Sequence, residues 1–567
     1  MASIPATVTA PASARPAADS EARLAQALLL AACAFLVAFL LAPLLLILIK
    51  SVQDKGGAFV GLAQFREYLQ SPALIDSAIN TVLVALAVTL ITVPLAFAFA
   101  YALTRSAMPW KGLFRLIALT PILAPSMLAA ISFIQWFGNQ GALKGLMFGH
   151  SVYGPIGIII SAVYAIFPHA LMIVLTALLL ADGRLYEAAT SLRTSTLRKF
   201  FTITLPAARY GLVSAAMVVF SYTVSDFGIP KVIGGNFHVL AIDIYQQVIG
   251  QQNFNRGAVV GLVLLLPVVL AFVVDWRMQG QQHAHFSSRA VPYVPKRAPA
   301  FDTAMFAYCT VVCIMMLAVL GMAVYTSFIK LWPYDLSFSL RHYVFGLIDG
   351  GVIESYFNSL KLGFLTALFG TLLIFGTAYL IEKTRGMGGV RALMRLLAAI
   401  PMAVPGMVLG LGYIFFFNAP ANPLHFLYGT MTILVLSTII HYYTSSHLTA
   451  VTALKSLDNE FEAVSASLKV PFYKTFARVT VPVCLPAILD IARYLFINSM
   501  VTLSAVIFLY SPDTKLASVA IVNLDEAGEI GPAAAMATLI VATSTLVCLA
   551  YALLTRVLLR RTQAWRG

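Results

Sequence analysis

The chain has 567 residues, of which 60% are hydrophobic and 11% charged, and its mean hydropathy is +0.88. A soluble globular chain carries about 25% charged residues, so this composition excludes an ordinary soluble protein and indicates an integral membrane protein. The net charge of +14 does not indicate nucleic-acid binding, because the Lys and Arg residues concentrate in segments that a cytoplasmic N-terminus would place in the cytoplasm. Anionic lipid is the expected partner of this charge.

Apolar stretches long enough to cross a bilayer recur along the whole chain, and they lack the alternation of β-barrel strands. We therefore predict an all-α integral membrane fold with about twelve transmembrane helices. In the first half the predicted spans are 24–49, 79–104, 113–137, 155–181, 207–228 and 257–275. In the second half they are 303–328, 356–381, 391–416, 426–451, 484–509 and 532–557.

These spans define the predicted domain organisation. Residues 1–22 are rich in Ala, Pro, Ser and Thr and are expected to form a disordered tail. The remaining predicted units are a first half at 23–276, a polar, proline-containing cytoplasmic linker at 277–301, a second half at 302–558 and a basic C-terminal tail at 559–567. Both termini are expected in the cytoplasm.

The two halves repeat one another at an offset of 275–280 residues. Matched features are Asn80 and Asn358 at the start of a span, Arg105 and Arg385 at its end, and Pro121, Pro125, Pro401 and Pro405 within the next span. The asparagines are expected to cap helices or to donate hydrogen bonds between helices, and the prolines to bend theirs. Since each half has an even number of spans, the repeats are predicted to be parallel, with a pathway between them.

A polar, basic loop follows the fourth span of each half and is written twice. The first copy contains Glu187-Ala188-Ala189 and ends in Leu205-Pro206, and the second contains Glu462-Ala463-Val464 and ends in Val481-Pro482. Both copies carry aromatic residues next to basic ones, and such aromatics are unfavourable in water unless a partner covers them. A membrane protein has no packing reason to repeat a soluble loop, so the repetition predicts a partner that binds both copies.

This doubled loop resembles the EAA motif of ABC-importer permeases, in which the loop forms a coupling helix that docks into the ATPase subunit. Arg193 and Lys469 stand where that family has a glycine. The coupling residues implied by the resemblance are Glu187, Ala188, Ala189, Arg193, Arg198, Phe200, Leu205 and Pro206 in the first copy, and Glu462, Ala463, Lys469, Tyr473, Phe476 and Pro482 in the second. The chain as a whole resembles the type I importer permeases, in a form that fuses both permease halves.

The resemblance implies partners and a location. The expected partners are two copies of a cytoplasmic ABC ATPase and a periplasmic solute-binding protein, and the expected location is a bacterial inner membrane. The chain lacks the Gly-x-x-x-x-Gly-Lys-Ser/Thr phosphate loop. We therefore expect no catalytic residue, no metal site and no cofactor on this chain, with ATP and Mg²⁺ on the partner ATPase.

Two cargo classes fit the resemblance. The stretches 225–235 and 243–254 are most similar to 2-aminoethylphosphonate permeases, which makes a phosphonate importer the main interpretation. A ferric-iron permease is the alternative, because the Ser-Asp-Phe-Gly element occurs in that group as well. An ion-coupled secondary transporter is the rival class, although it would need no matched docking loops and usually carries charged residues in the middle of its spans. A membrane-embedded enzyme would need clustered His, Asp or Glu residues, and the sequence suggests no such cluster.

Polar residues within or beside spans are candidates for the substrate path. These candidates are Thr223, Ser225 and Asp226 in the first half and Asn498, Thr502 and Ser504 in the second. The three candidates of the second half are predicted to match Thr223 and Ser225 by repeat position. A hydrated carboxylate at a helix end is the alternative for Asp226, and hydrogen bonds between helices are the alternative for the others. His169 and His441 are single histidines in apolar spans, for which core packing is the prediction.

Overall fold

The computed structural model describes residues 15–285, 291–344, 351–458, 460–468 and 470–562. Long runs of Leu, Ile, Val, Ala and Phe form helices, as expected where lipid offers the backbone no hydrogen-bond partner. The helices of the first half are α1 (Arg15–Leu36), α2 (Ala42–Ser51), α3 (Ala63–Leu69), α4 (Pro72–Arg105), α5 (Lys111–Ala118), α6 (Ser126–Phe137), α7 (Pro155–Leu179), α8 (Gly183–Ser191), α9 (Thr196–Lys199), α10 (Leu205–Ser225), α11 (Gly228–Ile233), α12 (Leu240–Tyr245) and α13 (Phe254–His285).

The second half repeats this order and adds a hairpin that was not predicted from the sequence. Its elements are α14 (Pro299–Ser327), β1 (Ile329–Leu331), β2 (Asp335–Phe338), α15 (Val352–Lys383), α16 (Gly388–Ala399), α17 (Gly406–Phe417), α18 (Met431–His441), α19 (Tyr443–Lys455), α20 (Glu460–Ser467), α21 (Phe472–Thr475), α22 (Val481–Val501), α23 (Ala517–Glu526) and α24 (Ile530–Thr562). The strands pair antiparallel, with Ile329 opposite Phe338 and Leu331 opposite Asp335.

Within the described part of the chain, nine helical stretches are long and apolar enough to cross a membrane, and two bent pairs bring this number to eleven. The predicted tenth span, 426–451, consists of α18 and α19, which meet at Tyr442. The count of twelve therefore stays a prediction. The predicted eleventh span, 484–509, is wrong at its end, because α22 stops at Val501 and an irregular segment follows.

The predicted boundaries of the tails and the linker need correction. Helix α1 begins at Arg15, so the disordered tail predicted for residues 1–22 is wrong from that residue onward. Helix α13 continues to His285 and α24 to Thr562, so both extend into the segments assigned to the linker and the C-terminal tail. The parts of these calls that lie outside the described residues are 1–14, 286–290 and 563–567.

The third span of each half is broken, as its prolines predict. Helices α5 and α6 meet at 101°, and α16 and α17 meet at 115°. A short 3₁₀ turn, Thr120–Leu123 or Ile400–Ala403, fills each break. Proline lacks the N–H that a continuous helix needs, and its ring clashes with the preceding turn. The breaks leave α6 and α17 as half-helices that begin in the middle of the molecule.

Hydrogen bonds confirm the internal repeat. Asn80 Nδ2 on α4 donates to His238 O at 3.2 Å, and Asn358 Nδ2 on α15 donates to Lys515 O at 3.1 Å. The hydroxyl of the next residue on each helix accepts a hydrogen bond from the first backbone N–H of a short helix. Thr81 accepts from Leu240 of α12, and Ser359 accepts from Ala517 of α23. Both asparagines lie inside their helices, which begin at Pro72 and Val352, so they are not caps. They are donors to neighbouring segments, as in the alternative, but their acceptors lie in loops and not in helices.

The first span of each half packs on the other half. Helices α1 and α2 contact α15, α16 and α17, and α14 contacts α4, α5 and α6. The Tyr413 hydroxyl on α17 donates to Phe39 O at 2.7 Å, and the Tyr308 hydroxyl on α14 donates to Leu95 O at 2.8 Å. The halves predicted at 23–276 and 302–558 are therefore sequence repeats, but they are not separately packed units.

Substitution of Gly412 tests whether the first span of each half packs on the other half. A Cβ atom there would lie 2.8 Å from Pro43 O on α2, whereas a Cβ on Gly376 of α15 would meet no atom within 4 Å. We expect Gly412→Ala to lower the stability of the protein by about 1–3 kcal/mol through overpacking. Gly376→Ala should be neutral or stabilising by up to about 1 kcal/mol. Thermal unfolding in detergent measures both, and equal effects of the two substitutions would contradict the exchange.

Candidate functional site

A cavity of about 280 Å³ lies between the two halves. Both broken spans reach it, together with α7, α10, α13, α19 and α22. Apolar side chains form much of its wall, and the polar residues among them come from both repeats: Ser126, His169, Ser221, Tyr222, Ser225, Asp226, Asp275, His441, Tyr442, Thr444, Ser445, Tyr494, Asn498, Thr502 and Ser504. A cavity with polar groups inside a membrane protein is a candidate for a solute path, because polar side chains at membrane depth are unfavourable elsewhere.

Five of the six predicted path residues meet at this cavity. Ser225 and Asp226 reach it from the first half, and Asn498, Thr502 and Ser504 reach it from the second. Thr223 does not line it, because its side chain is buried and its hydroxyl donates to Val219 O at 2.8 Å. The chain therefore brings together residues that are far apart in sequence.

Asp226 contributes a carboxylate to the cavity wall. It follows α10, and its Oδ2 accepts a hydrogen bond from Ile229 N at 3.1 Å at the start of α11. Its Oδ1 accepts from Ser126 Oγ at 3.0 Å, at the first residue of α6. The carboxylate thus fixes two helix starts to each other and also faces the cavity. Asp226 directly follows α10, so it is also the helix-end carboxylate of the alternative, and its part in a substrate path stays a prediction.

The repeat pairs the path residues differently from the sequence prediction. Helices α10 and α22 have the same length, and their ends are 276 residues apart. At this offset Asp226 corresponds to Thr502, and Tyr222 corresponds to Asn498. The predicted match of Thr223 and Ser225 with Asn498, Thr502 and Ser504 is therefore wrong in register. The carboxylate has no acidic counterpart at the equivalent position, so the cavity is chemically asymmetric.

A serine and a glycine exchange places across the two halves. In the first half Ser126 begins α6 and lies against Gly228, where an added Cβ would be 3.0 Å from Ser126 Oγ. In the second half Gly406 begins α17 and lies against Ser504, where an added Cβ would be 2.3 Å from Ser504 Oγ. Each close approach requires one residue without a side chain. Together they place the positive ends of two twelve-residue helices at the cavity.

The predicted core packing of His169 and His441 is present in part, because their rings pack on aromatic neighbours while also facing a cavity. Both line the cavity. The His169 ring lies edge-on to Tyr222 at 4.9 Å, and the His441 ring lies 4.7 Å from Tyr442. The Nδ1 atom of each histidine is buried without a hydrogen-bond partner among the described residues. A lone histidine in an apolar run carries no signal for the face it presents, so the sequence did not distinguish these positions from core.

The two loops share a backbone register of 276 residues. Asp182 Oδ1 accepts from Arg184 N at 3.0 Å at the start of α8, and Asp458 Oδ1 accepts from Glu460 N at 3.1 Å at the start of α20. The ends match as well, since Thr194 N donates to Ala189 O and Val470 N donates to Ser465 O, both at 2.9 Å. The π-helical turns Phe200–Thr204 and Phe476–Thr480 follow at the same offset.

This register corrects the predicted pairing of the two glutamates. Glu187 corresponds to Ala463, and Glu462 corresponds to Tyr186. Glu187 is exposed, whereas Glu462 forms an ion pair of 3.2 Å with Lys383, whose side chain is only 5% exposed. The sequence pairing failed because Glu-Ala occurs in both copies one residue out of register.

The last residues of α4 and α15 hold the two loops in equivalent ways. Arg105 Nη2 donates to Leu178 O at 2.9 Å, and its Nε donates to the Tyr186 hydroxyl at 3.3 Å. Lys383 ends α15 and contacts Glu462 at the position equivalent to Tyr186. Arg105 therefore corresponds to Lys383, and the predicted match with Arg385 is wrong.

Two of the predicted loop aromatics point inward. Phe200 packs 5.9 Å from Phe97 and 5.8 Å from Tyr101 on α4, and Phe476 packs 4.7 Å from Tyr379 on α15. Their role is to fix the end of the loop to the preceding long helix. The described aromatic residues of the loops that remain exposed are Phe201, Phe461 and Tyr473.

An exposed apolar patch recurs on the two loops. Its three members in the first loop and their equivalents 276 residues later are each between 46% and 79% exposed. The pairs are Leu185 with Phe461, Leu192 with Leu468, and Leu197 with Tyr473. Contiguous exposed apolar side chains mark interaction sites. We refer to these six residues as the loop patches.

The remaining coupling residues divide by position. Ala188, Arg198 and Pro206 are exposed in the first loop and Ala463 is exposed in the second, whereas Ala189 is buried and Leu205 and Pro482 are partly buried. Arg193 adopts a left-handed conformation with φ of 51°, so the turn that the family builds on glycine is present without it. Lys469, its equivalent, lies outside the described residues.

The cap of α8 keeps its charge over the physiological range. The side chain of Arg184 contacts Asp182 at 2.7 Å, and this hydrogen bond together with the backbone N–H groups lowers the pKa of Asp182 to about 2. A lowered carboxyl pKa stabilises the folded loop above the unfolded pKa of about 4, and this stabilisation is lost as the pH falls towards 2. Near neutral pH, the first loop is therefore insensitive to protonation of its cap.

The fold and these sites define a multi-pass membrane protein built from two repeats, each with a loop in the same register. Residues 93–279 match the family described as the binding-protein-dependent transport system inner membrane component. The chain is 34% identical over 85 residues to the putative ferric transport system permease-like protein AfuB of Escherichia coli, covering 71% of that protein and 15% of this chain. The chain therefore belongs to this family, the membrane components of type I ABC importers, and it is a permease component rather than an enzyme.

Longer similarities cover both repeats. The chain is 29% identical over 465 residues to the ferric transport system permease protein FbpB of Actinobacillus pleuropneumoniae, across 78% of this chain and 66% of that protein. It is 26% identical over 511 residues to the putative ferric transport system permease protein FbpB 1 of Haemophilus influenzae, across 85% of this chain and 79% of that protein. These relatives carry both halves in one chain, as predicted for the fused form.

The left-handed residue in the first loop leads to a prediction. A left-handed conformation costs a non-glycine residue about 1–2 kcal/mol, so Arg193→Gly should stabilise the loop by up to about 1 kcal/mol. Arg198→Gly should destabilise it by about 1 kcal/mol, because Arg198 lies inside the continuous helix Thr196–Ser225. Hydrogen exchange of residues 183–199 measures both effects. A destabilising Arg193→Gly would contradict the assigned turn.

Proposed function

We propose that this permease moves its cargo through the cavity between its halves, driven by two ATPase subunits that bind the loop patches from the cytoplasm. The observation that supports this most is the recurrence of exposed apolar residues at three equivalent positions of the two loops. A dimeric ATPase presents two equivalent grooves, and two patches in one register match that symmetry. The loops would then lie in the cytoplasm, with both termini on the same side.

A matched set of substitutions tests the docking. Leu192→Glu and Leu468→Glu should each weaken binding of the purified ATPase about 10- to 100-fold, because charging a central apolar contact removes one of the few residues that dominate an interface. Leu336→Glu, on the exposed hairpin at the far end of α14, should leave binding unchanged. If both loop variants bind the ATPase as well as the native chain does, the docking proposal fails.

The glutamates of the motif serve different tests in this structure. Glu187→Lys changes an exposed carboxylate and reports on docking. Glu462→Lys would place two ammonium groups at the buried Lys383 and would instead report on the stability of the second loop. We expect Glu187→Lys to weaken ATPase binding while the permease stays folded. Gel filtration and co-purification check both points, and unchanged co-purification would exclude Glu187 from the contact.

We propose ferric iron, delivered by a periplasmic binding protein, as the cargo. The support is that the relatives covering most of the chain are named ferric permeases, which favours the alternative over the phosphonate interpretation made from the sequence. Ferric iron is a hard cation that prefers oxygen ligands, and the cavity offers the Asp226 carboxylate together with Tyr222, Tyr442 and Thr502. No group of three His, Cys, Asp or Glu side chains in the described ranges could hold a metal, so we propose a path without a tight permease site.

A phosphonate is the second candidate, favoured by a different observation. The N-termini of α6 and α17 both begin at the cavity. Helix N-termini carry partial positive charge and bind anions such as phosphate groups. An anionic or zwitterionic phosphonate would use these two helix ends, whereas Asp226 would oppose its negative charge.

The effect of Asp226→Asn on cargo-stimulated ATP hydrolysis distinguishes the two cargoes. With the ATPase and binding protein in liposomes, Asp226→Asn should lower ferric-stimulated ATP hydrolysis about tenfold, since a lost charged contact is worth about 1.5–3 kcal/mol. If 2-aminoethylphosphonate is the cargo, the same substitution should leave phosphonate-stimulated hydrolysis unchanged or raise it. Asp513→Asn, at an exposed carboxylate that does not line the cavity, is the matched control. Unchanged hydrolysis with both cargoes would remove Asp226 from the path.

A further inference from the structure

The segment that joins the two halves lies directly against the first loop. Gly183 N, at the start of α8, donates to Val291 O at 2.8 Å. In return Val291 N donates to Asp182 Oδ1 at 3.4 Å. The joining segment thus takes part in the cap of the helix that carries Leu185 of the loop patches. A tether that only connected the halves would need no such contact.

Tyr293 continues this contact with its ring. The ring lies 4.6 Å from the ring of Tyr186 on α8 and 4.9 Å from the guanidinium of Arg105 at the end of α4. Arg105 lies at the same distance over Tyr186, so the guanidinium and the two rings form a cluster of three mutual contacts. Both kinds of contact are stabilising. Tyr293 of the joining segment therefore contacts both α8 and α4.

The sequence of α8 is adapted to this approach. A Cβ atom on Gly183 would lie 3.0 Å from Tyr293 Cα and 3.1 Å from both Pro292 O and Val291 O. A larger residue at position 183 would push the joining segment away. The equivalent residue in the second loop is Asn459, which lies outside the described residues.

The joining segment is also anchored at its far end. Asp302 in the first turn of α14 accepts from Ala298 N at 2.9 Å and from Ala107 N at 2.8 Å, the latter just after α4. Three prolines in the stretch 291–299 restrict its backbone. An extended, proline-containing segment behaves as a semi-rigid spacer, so the segment forms a stiff strap along the first loop.

We infer that Tyr293 is a positioning residue for the first coupling helix, which the strap holds in place from residue 291 to Asp302. The inference rests on the proposed function of the loops, because positioning matters only if α8 transmits force. The second helix is held by the ion pair of Lys383 with Glu462. Both loop helices contact the cation that ends the preceding long helix, and among the described residues only the first has the joining segment as an additional support.

Hydrogen exchange on the full-length permease alone tests the strap. Tyr293→Ala should speed exchange of residues 183–191 about tenfold and leave residues 460–468 unchanged, because only the first loop loses its support. Tyr293→Phe keeps the ring and should behave as the native chain. Val294→Ala, whose native side chain is 79% exposed in the same segment, is the matched control. Unchanged exchange in Tyr293→Ala, or equal acceleration of both loops, would overturn the inference.

A second readout separates positioning from simple stability. In a Leu468→Glu background ATPase binding depends on the first loop, and there Tyr293→Ala should lower the affinity about tenfold further, with Tyr293→Phe restoring it. In a Leu192→Glu background Tyr293→Ala should change nothing. Equal effects in the two backgrounds would contradict the positioning role. If the ATPase fails to bind the native permease, the proposed function fails, while the exchange measurement still decides whether the strap exists.

Discussion

The attachment of each loop to the cation that ends a long helix is the interaction on which the rest of this molecule depends. Arg105 and Lys383 are largely shielded from water, and a shielded cation is stable only with partners that replace its hydration. Those partners come from the loop helix, as Tyr186 in one half and Glu462 in the other. A push on either loop helix is therefore transmitted to a helix that runs through the molecule.

The same two long helices, α4 and α15, connect the loops to the helices that border the cavity. Helices α4 and α15 pack along α7, α10, α19 and α22, which all contribute to the cavity wall. The half-helices α6 and α17 begin at the cavity and are held there by the reciprocal serine and glycine contacts. A movement of the loops relative to the membrane would thus alter the distance between the halves at the cavity. This chain of contacts is the physical route by which the proposed ATPase subunits would act on the cavity.

The sequence was sufficient for the features that local chemistry determines. Apolar runs predicted the spans, and the prolines at 121, 125, 401 and 405 predicted the breaks. The repetition of a polar loop predicted a partner that binds both copies, and the resemblance of this loop to the EAA motif implied an importer permease. The register of the two loops was missed because the helix caps Asp182 and Asp458 fix it. The sequence comparison instead aligned Glu187 with Glu462, since both are followed by alanine. The facing of the cavity histidines was missed for another reason. An apolar helix in lipid has no polar face, so periodicity does not reveal which side is inward.

The interchange of first spans was also invisible, because lipid-facing and protein-facing surfaces have the same apolar composition. It has a consequence for biogenesis. The N-terminal span is synthesised first, yet the surface it covers is translated only after the whole first repeat has been inserted. Until then this span has no permanent neighbour on that side and depends on lipid or on the insertion machinery. A gene divided at the joining segment would yield two polypeptides, and each would lack the surface on which its own first span packs. Translation as one chain supplies both packing surfaces in equal number.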